Sequence, residues 1–138
     1  MRRIFLVLTV VMLGVTTVPV SRADKAPLPP ISISEISTDE TYGRAESNAI
    51  KVGGGPSRER EYLMLLRGPN GESVRFERDG SCCGFETPNG IMGGGLLDIY
   101  SVWVGSAPDP VKLYINMYDY EQPKAPKGFT FVSRLQRK

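Results

Sequence analysis

The sequence predicts a small α+β fold, a mostly antiparallel β-sheet with one main helix in a single domain, and three observations predict it. Of the 138 residues, 41% are apolar and 23% charged, the balance of an ordinary globular chain. Residues 56–68 carry the start and stop signals of one helix, while several later segments alternate apolar and polar side chains as half-buried strands do. No repeat of 20 to 50 residues is visible, since the two triple-glycine runs, 53–55 and 93–95, sit in unlike contexts.

The N-terminus reads as an export signal. Met1-Arg2-Arg3 is followed by an uncharged run over 4–20 and then by Ser21-Arg22-Ala23, which sets small residues at the −3 and −1 positions of a cleavage site before Asp24. A secretory signal peptide is therefore expected over 1–23. The alternative is an uncleaved anchor, but the run is short for a span and contains Pro19 and several threonines. The arginine pair is compatible with either the general or the twin-arginine route. Cleavage removes Arg2, Arg3 and Arg22 from the 17 basic residues and leaves 14 against 15 acidic ones. A near-neutral mature chain lacks the basic surface that nucleic acids and anionic membranes require. The expected location is periplasmic or secreted in a bacterium, with no nucleic-acid partner and no stable membrane span after processing.

Residues 24–30, Asp-Lys-Ala-Pro-Leu-Pro-Pro, are too proline-rich for regular structure and predict an extended leader. The domain is expected to occupy 31–138. Ile31, Ile33 and Ile36 suggest a short strand, 37–48 a polar loop, and Ile50-Lys51-Val52 a second short strand. In the helix, Ser57 is the expected N-cap, acidic residues fill the first turn, and Gly68 lies just past the end. After the turn Pro69-Asn70-Gly71, residues 73–78 alternate as a half-buried strand, and Asp79-Gly80 turns the chain. Residues 81–90 hold too many breakers to read as an element. Segments 96–104 and 110–118 then form an antiparallel hairpin across Gly105-Ser106-Ala107-Pro108-Asp109. Pairing Val104 with Pro110 puts Leu97, Ile99, Ser101 and Trp103 on the core face, opposite Met117, Ile115, Leu113 and Val111. A proline-rich loop at 121–128 leads to a last strand at 129–132.

The chain has no histidine. Ser-His-Asp and Cys-His nucleophiles, a histidine base and a His-containing zinc site are thereby excluded. No catalytic residue, cofactor or metal ligand is predicted, but three constellations stand out. Cys82-Cys83 are adjacent, so a bond between them closes a tight ring whose Cα separation is about 3.8 Å, below the usual disulfide range and favouring easy reduction. The alternatives are buried thiols or pairing between chains. Two thiolates with no further Cys or His leave a soft metal short of ligands. Second, the loop of Lys51, Gly53, Gly54, Gly55 and Arg58 places glycines and flanking cations before a helix, the geometry of an anion cradle or of a plain connector. Third, the predicted non-core face of the hairpin carries Asp98, Tyr100, Tyr114, Asn116 and Tyr118. These offer hydrogen-bonding groups beside aromatic planes, suited to a sugar, a peptide or a protein partner, or else to burial under the helix or a loop. Asp98 has no second carboxylate at an evident spacing, so a glycosidase-type acid pair is not predicted.

Over residues 50–132 the chain resembles a family of small exported bacterial proteins of uncertain function. The segments that carry the resemblance are Ile50-Lys51-Val52-Gly53-Gly54, Leu66-Arg67-Gly68-Pro69-Asn70-Gly71, Gly80-Ser81-Cys82-Cys83, Phe85-Glu86-Thr87-Pro88-Asn89-Gly90, Gly93-Gly94-Gly95-Leu96-Leu97-Asp98 and Leu113-Tyr114-Ile115-Asn116-Met117-Tyr118-Asp119. Many members carry the label 2-dehydro-3-deoxyphosphooctonate aldolase, which implies condensation of phosphoenolpyruvate with a phosphorylated pentose. That aldolase is similar to a TIM barrel, an architecture of about 250 residues and eight βα units. The expectation is an exported, non-catalytic module that binds or scaffolds an envelope component or small ligand. The enzyme alternatives are that aldolase and a thiol-redox role for Cys82-Cys83.

Overall fold

The computed structural model describes residues 25–132; the expected signal peptide at 1–23, Asp24 and residues 133–138 lie outside it. The fold is α+β with a mostly antiparallel sheet, as the sequence predicts. Strands β1 (Ile50–Lys51), β3 (Val74–Ile91), β4 (Gly94–Val104) and β5 (Val111–Asn116) form one sheet in the order β1-β5-β4-β3, with only β1 and β5 parallel. A second, two-stranded antiparallel sheet pairs β2 (Leu66–Arg67) with β6 (Thr130–Phe131).

The helix α1 (Pro56–Leu63) is shorter than its sequence signals suggest. Gly55 rather than Ser57 is the N-cap, and Pro56 fills the first helical position, where a missing N–H costs nothing. The expected last turn is drawn out of the helix, because Leu66 and Arg67 pair with Phe131 and Thr130. That pairing accompanies the burial of Leu66 and the packing of half-buried Phe131 on the core, a tertiary gain that overrides local helix propensity. Tyr62, Leu63, Leu65 and Leu66 pack under the sheet with Ile50, Val102, Leu113, Ile115 and Phe129.

Two expectations about β structure are corrected. Residues 81–90 are not irregular: β3 runs 18 residues through them, with register shifts between Arg78 and Gly80, Cys82 and Gly84, and Glu86 and Ile91. Bulges leave Asp79 and Cys83 out of the ladder and a wider irregularity leaves out 87–90, so that the glycine-rich sequence still pairs with β4 on either side of them. Met92 and Gly93, both left-handed (φ 55° and 80°), close the hairpin, as a two-residue turn requires. The N-terminal isoleucines also form no strand. Ile31 and Ile33 are buried in an extended segment, and Ile36 makes one parallel bridge to Ala125.

The predicted hairpin of β4 and β5 exists, but its register is one residue away from the expected one. Asp98 pairs with Ile115, Tyr100 with Leu113 and Val102 with Val111. β5 keeps its predicted core face, Leu113 and Ile115, while β4 turns over. Tyr100 and Val102 are buried, and Ile99, Ser101 and Trp103 face outward, half-exposed. The expected pairing would have set the Ser101 hydroxyl against Leu113 in the core. Instead Ser101 Oγ bonds Asp79 Oδ2 (2.8 Å), and Trp103 lies under the Arg75 guanidinium, 3.9 Å from the ring centroid.

Candidate functional site

The sheet has two faces with different chemistry. α1 and the loop segments cover the inner one; the outer one holds a depression of about 350 Å³. Alternation along β5 and pairing with β1 bring Asn116 and Lys51 side by side on that outer face. Leu97 of β4 and Cys83 and Phe85 of β3 supply an apolar floor, and the one-turn 3₁₀ helix Glu46–Asn48 contributes Glu46 and Ser47 to the rim. Lys51, Asn116 and Cys83 thus meet in one place, although the sequence put them in three separate constellations.

Asp119 closes the rim. The Asn116 side-chain oxygen accepts from the backbone N–H groups of Tyr118 (2.8 Å) and Asp119 (2.9 Å), a local turn that folds Asp119 back over the strand end. The Asp119 carboxylate accepts from Thr87 Oγ1 (2.5 Å), Asn89 Nδ2 (2.7 Å) and Asn116 Nδ2 (3.0 Å). Burial opposes its ionisation, but these three hydrogen bonds and the Lys51 charge outweigh it and hold the carboxyl below its usual range. Lys51 Nζ pairs with Glu121 at 2.5 Å. The result is a charged, hydrogen-bonding rim over an apolar floor, fit to hold a polar ligand that has one apolar face.

Cys82 and Cys83 are bonded to each other, with Cα atoms 3.7 Å apart, and both are half-buried. Successive residues of a regular strand point to opposite faces. Here the bulge after Cys82, with Cys83 left-handed at φ 59°, turns both sulfurs to one side. The Glu46 carboxylate and the two sulfurs lie within 4.8 Å of one another.

The predicted hairpin patch is split between the faces. Tyr114 is outward and half-buried, its N–H donated to the Gly43 carbonyl (2.8 Å). Tyr118 leaves the strand and meets Phe85 edge-on at 6.0 Å, above Gly95, where a Cβ would lie 2.8 Å from the tyrosine ring. Asp98 and Tyr100 go inward. There they join Glu59, an acid of the first turn of α1. Tyr100 donates to Glu59 Oε2 (2.9 Å); Asp98 accepts from Arg78 (2.7 and 2.9 Å) and from Ser81 (2.7 Å).

A second carboxylate therefore stands beside Asp98, one that no sequence spacing revealed. Burial, and then the Asp98 charge, push the Glu59 carboxyl up to about 8, while Arg78 and Ser81 overcome the burial of Asp98 and hold it low. Buried beside the charged Asp98, Glu59 carries the proton. Its Oε1 has no hydrogen-bond partner among the described residues. Glu59, Asp98 and Tyr100 are 0%, 1% and 3% exposed, so no substrate reaches this acid pair in the folded state.

The predicted anion loop is also divided. Lys51 belongs to the outer depression. Arg58 instead clasps the leader, donating to Val52 O (3.0 Å) and Pro29 O (2.9 Å) and lying over the Tyr120 ring. Gly53 is left-handed (φ 58°), and a Cβ there would sit 2.9 Å from Leu28, so the glycine lets the leader cross closely. Gly54 and Gly55 border a separate groove of about 650 Å³ beneath Lys25, Leu28 and Tyr118. Among the described residues no helix is long and apolar enough to cross a membrane. Comparison with protein-family models, with curated proteins and with solved structures finds no match to this chain.

Proposed function

We propose that the protein is an exported, non-catalytic binding module of the bacterial envelope whose ligand sits in the outer-face depression. The observation that carries this reading is the convergence there of Lys51, Asn116, Asp119 and Glu46 around the floor of Cys83, Phe85 and Leu97. The ligand class that fits is a small polyhydroxylated molecule such as a sugar, its ring face on the apolar floor and its hydroxyls on the rim. The signal-peptide pattern, the bonded cysteines and the resemblance to small exported proteins support export. The aldolase reading rests on that resemblance alone, since one eight-residue helix on a four-stranded sheet is not a (β/α)8 barrel.

The test is a backbone amide NMR titration of the oxidised protein with mono- and disaccharides of the bacterial envelope. Shifts should concentrate at Lys51, Phe85, Leu97 and Asn116 and vanish in Phe85→Ala and Lys51→Ala variants that retain the wild-type spectrum elsewhere. Shifts confined to the groove beneath the leader, or none with any saccharide, overturn the assignment. A second reading, thiol redox chemistry, is favoured by the half-buried disulfide at the depression. It requires that a Ser substitution at either cysteine abolish dithiol-dependent turnover of a protein disulfide.

A further inference from the structure

We propose that reduction of the Cys82–Cys83 disulfide creates a site for one thiophilic divalent cation of the zinc and cadmium class, ligated by both sulfurs and the Glu46 carboxylate. The inference concerns the reduced protein and does not depend on which ligand the oxidised depression holds. Three observations carry it. The three donor groups already lie within 4.8 Å of one another. The bulge at Cys83 sets both sulfurs on the same side of β3, which a regular strand forbids to neighbouring residues. The depression beside Cys83 and Glu46 leaves room for a water molecule to complete the coordination.

The donor set suits the ion. Two thiolates select soft or borderline cations, and a carboxylate is compatible with zinc, giving three protein ligands and an open fourth position. With Zn–S near 2.3 Å, a tetrahedral ion holds its two sulfurs about 3.8 Å apart, a separation the sulfurs reach only once their bond is broken. Metal binding and the disulfide are therefore mutually exclusive.

The electrons and protons balance through a dithiol reductant. One reductant thiolate attacks a cysteine sulfur and forms a mixed disulfide; its second thiol displaces the cysteine, and the reductant leaves as a disulfide. Two electrons and two protons pass to Cys82 and Cys83. The cation then displaces both thiol protons to solvent, so affinity rises with pH until the thiols are ionised.

The experiment compares oxidised protein with protein reduced by a phosphine and freed of reductant under argon, each titrated with Cd²⁺ and followed by thiolate-to-metal charge-transfer absorption. Reduced wild type should saturate at one Cd²⁺ per chain, and oxidised wild type should show no band. Cys82→Ser and Cys83→Ser should lose the band. Glu46→Gln should keep it with affinity lowered about tenfold or more, since losing even an outer-shell partner of a metal ligand costs 10- to 100-fold. Glu46 is exposed and makes no side-chain bond among those described, so this variant tests ligation with little risk to folding. No band in the reduced protein, a band in the oxidised one, or wild-type affinity in Glu46→Gln would each overturn the site.

Discussion

The two faces of the sheet carry similar residue types and do opposite things with them. On the inner face a glutamic acid, an aspartate, a tyrosine and an arginine form a closed network whose carboxyl groups are shielded from water. On the outer face a lysine, an asparagine and an aspartate surround open space above an apolar floor. A strongly shifted carboxyl such as Glu59 is often read as a mark of catalysis. Here access decides the matter: the shifted group is closed off from solvent, and the groups that border open space lie on the other face.

The largest effect expected from breaking this contrast is at Arg78. Arg78→Ala leaves the buried Asp98 carboxylate without its cation and should cost about 3 kcal/mol in urea unfolding at neutral pH. That figure takes the low end of the range for a broken buried pair because the Arg78 side chain is 47% exposed. A loss under about 1 kcal/mol would mean that water replaces the guanidinium and that the inner network is not closed.

The register of β4 gives the next largest effect. Val102→Thr buries a hydroxyl beside Val111 and should cost about 1–3 kcal/mol. Ile99→Thr, on the half-exposed face, should cost less than about 1 kcal/mol. The reverse ranking would restore the register expected from sequence.

The remaining effect is a change of slope with pH, small over any one pH unit. Glu59 keeps its proton in the folded state up to about pH 8, whereas the unfolded chain releases it near 4.5. Its contribution to stability is complete below the unfolded value and is lost as pH rises through the folded one, by at most about 1.4 kcal/mol per pH unit. Glu59→Gln should remove that decline between pH 4.5 and 8. Asp98, whose carboxyl is lowered, acts only at more acidic pH and leaves this window clear. Equal slopes for the wild type and the variant would show that Glu59 is ionised when folded.

The contrast between the faces is also what the sequence conceals. In β4, Leu96, Leu97, Ile99, Tyr100, Val102 and Trp103 make both faces apolar, so a period of two does not say which one is core. β5 is legible because Lys112, Tyr114 and Asn116 alternate with Val111, Leu113 and Ile115. Glu59 looked like a complement to the helix dipole, and only the docking of α1 under β4 sets it against Asp98. Residues 81–90 looked irregular because glycine and proline weigh against a strand locally, whereas β4 supplies partners to Ser81, Cys82, Gly84, Phe85 and Glu86.

From the residues alone come the α+β class, the one helix, the hairpin of β4 and β5, the adjacency of the two cysteines and the exclusion of histidine chemistry; that the two cysteines bond each other is seen only in the structure. Each depends on composition or on neighbours a few positions apart, which the chain states directly. The facing of β4, the length of β3, the burial of Glu59 with Asp98 and the meeting of Lys51, Cys83 and Asn116 belong to the tertiary structure. They depend on which segments touch, and that choice is made by burying apolar area while leaving few polar groups without a partner, a property of the whole chain rather than of any stretch of it.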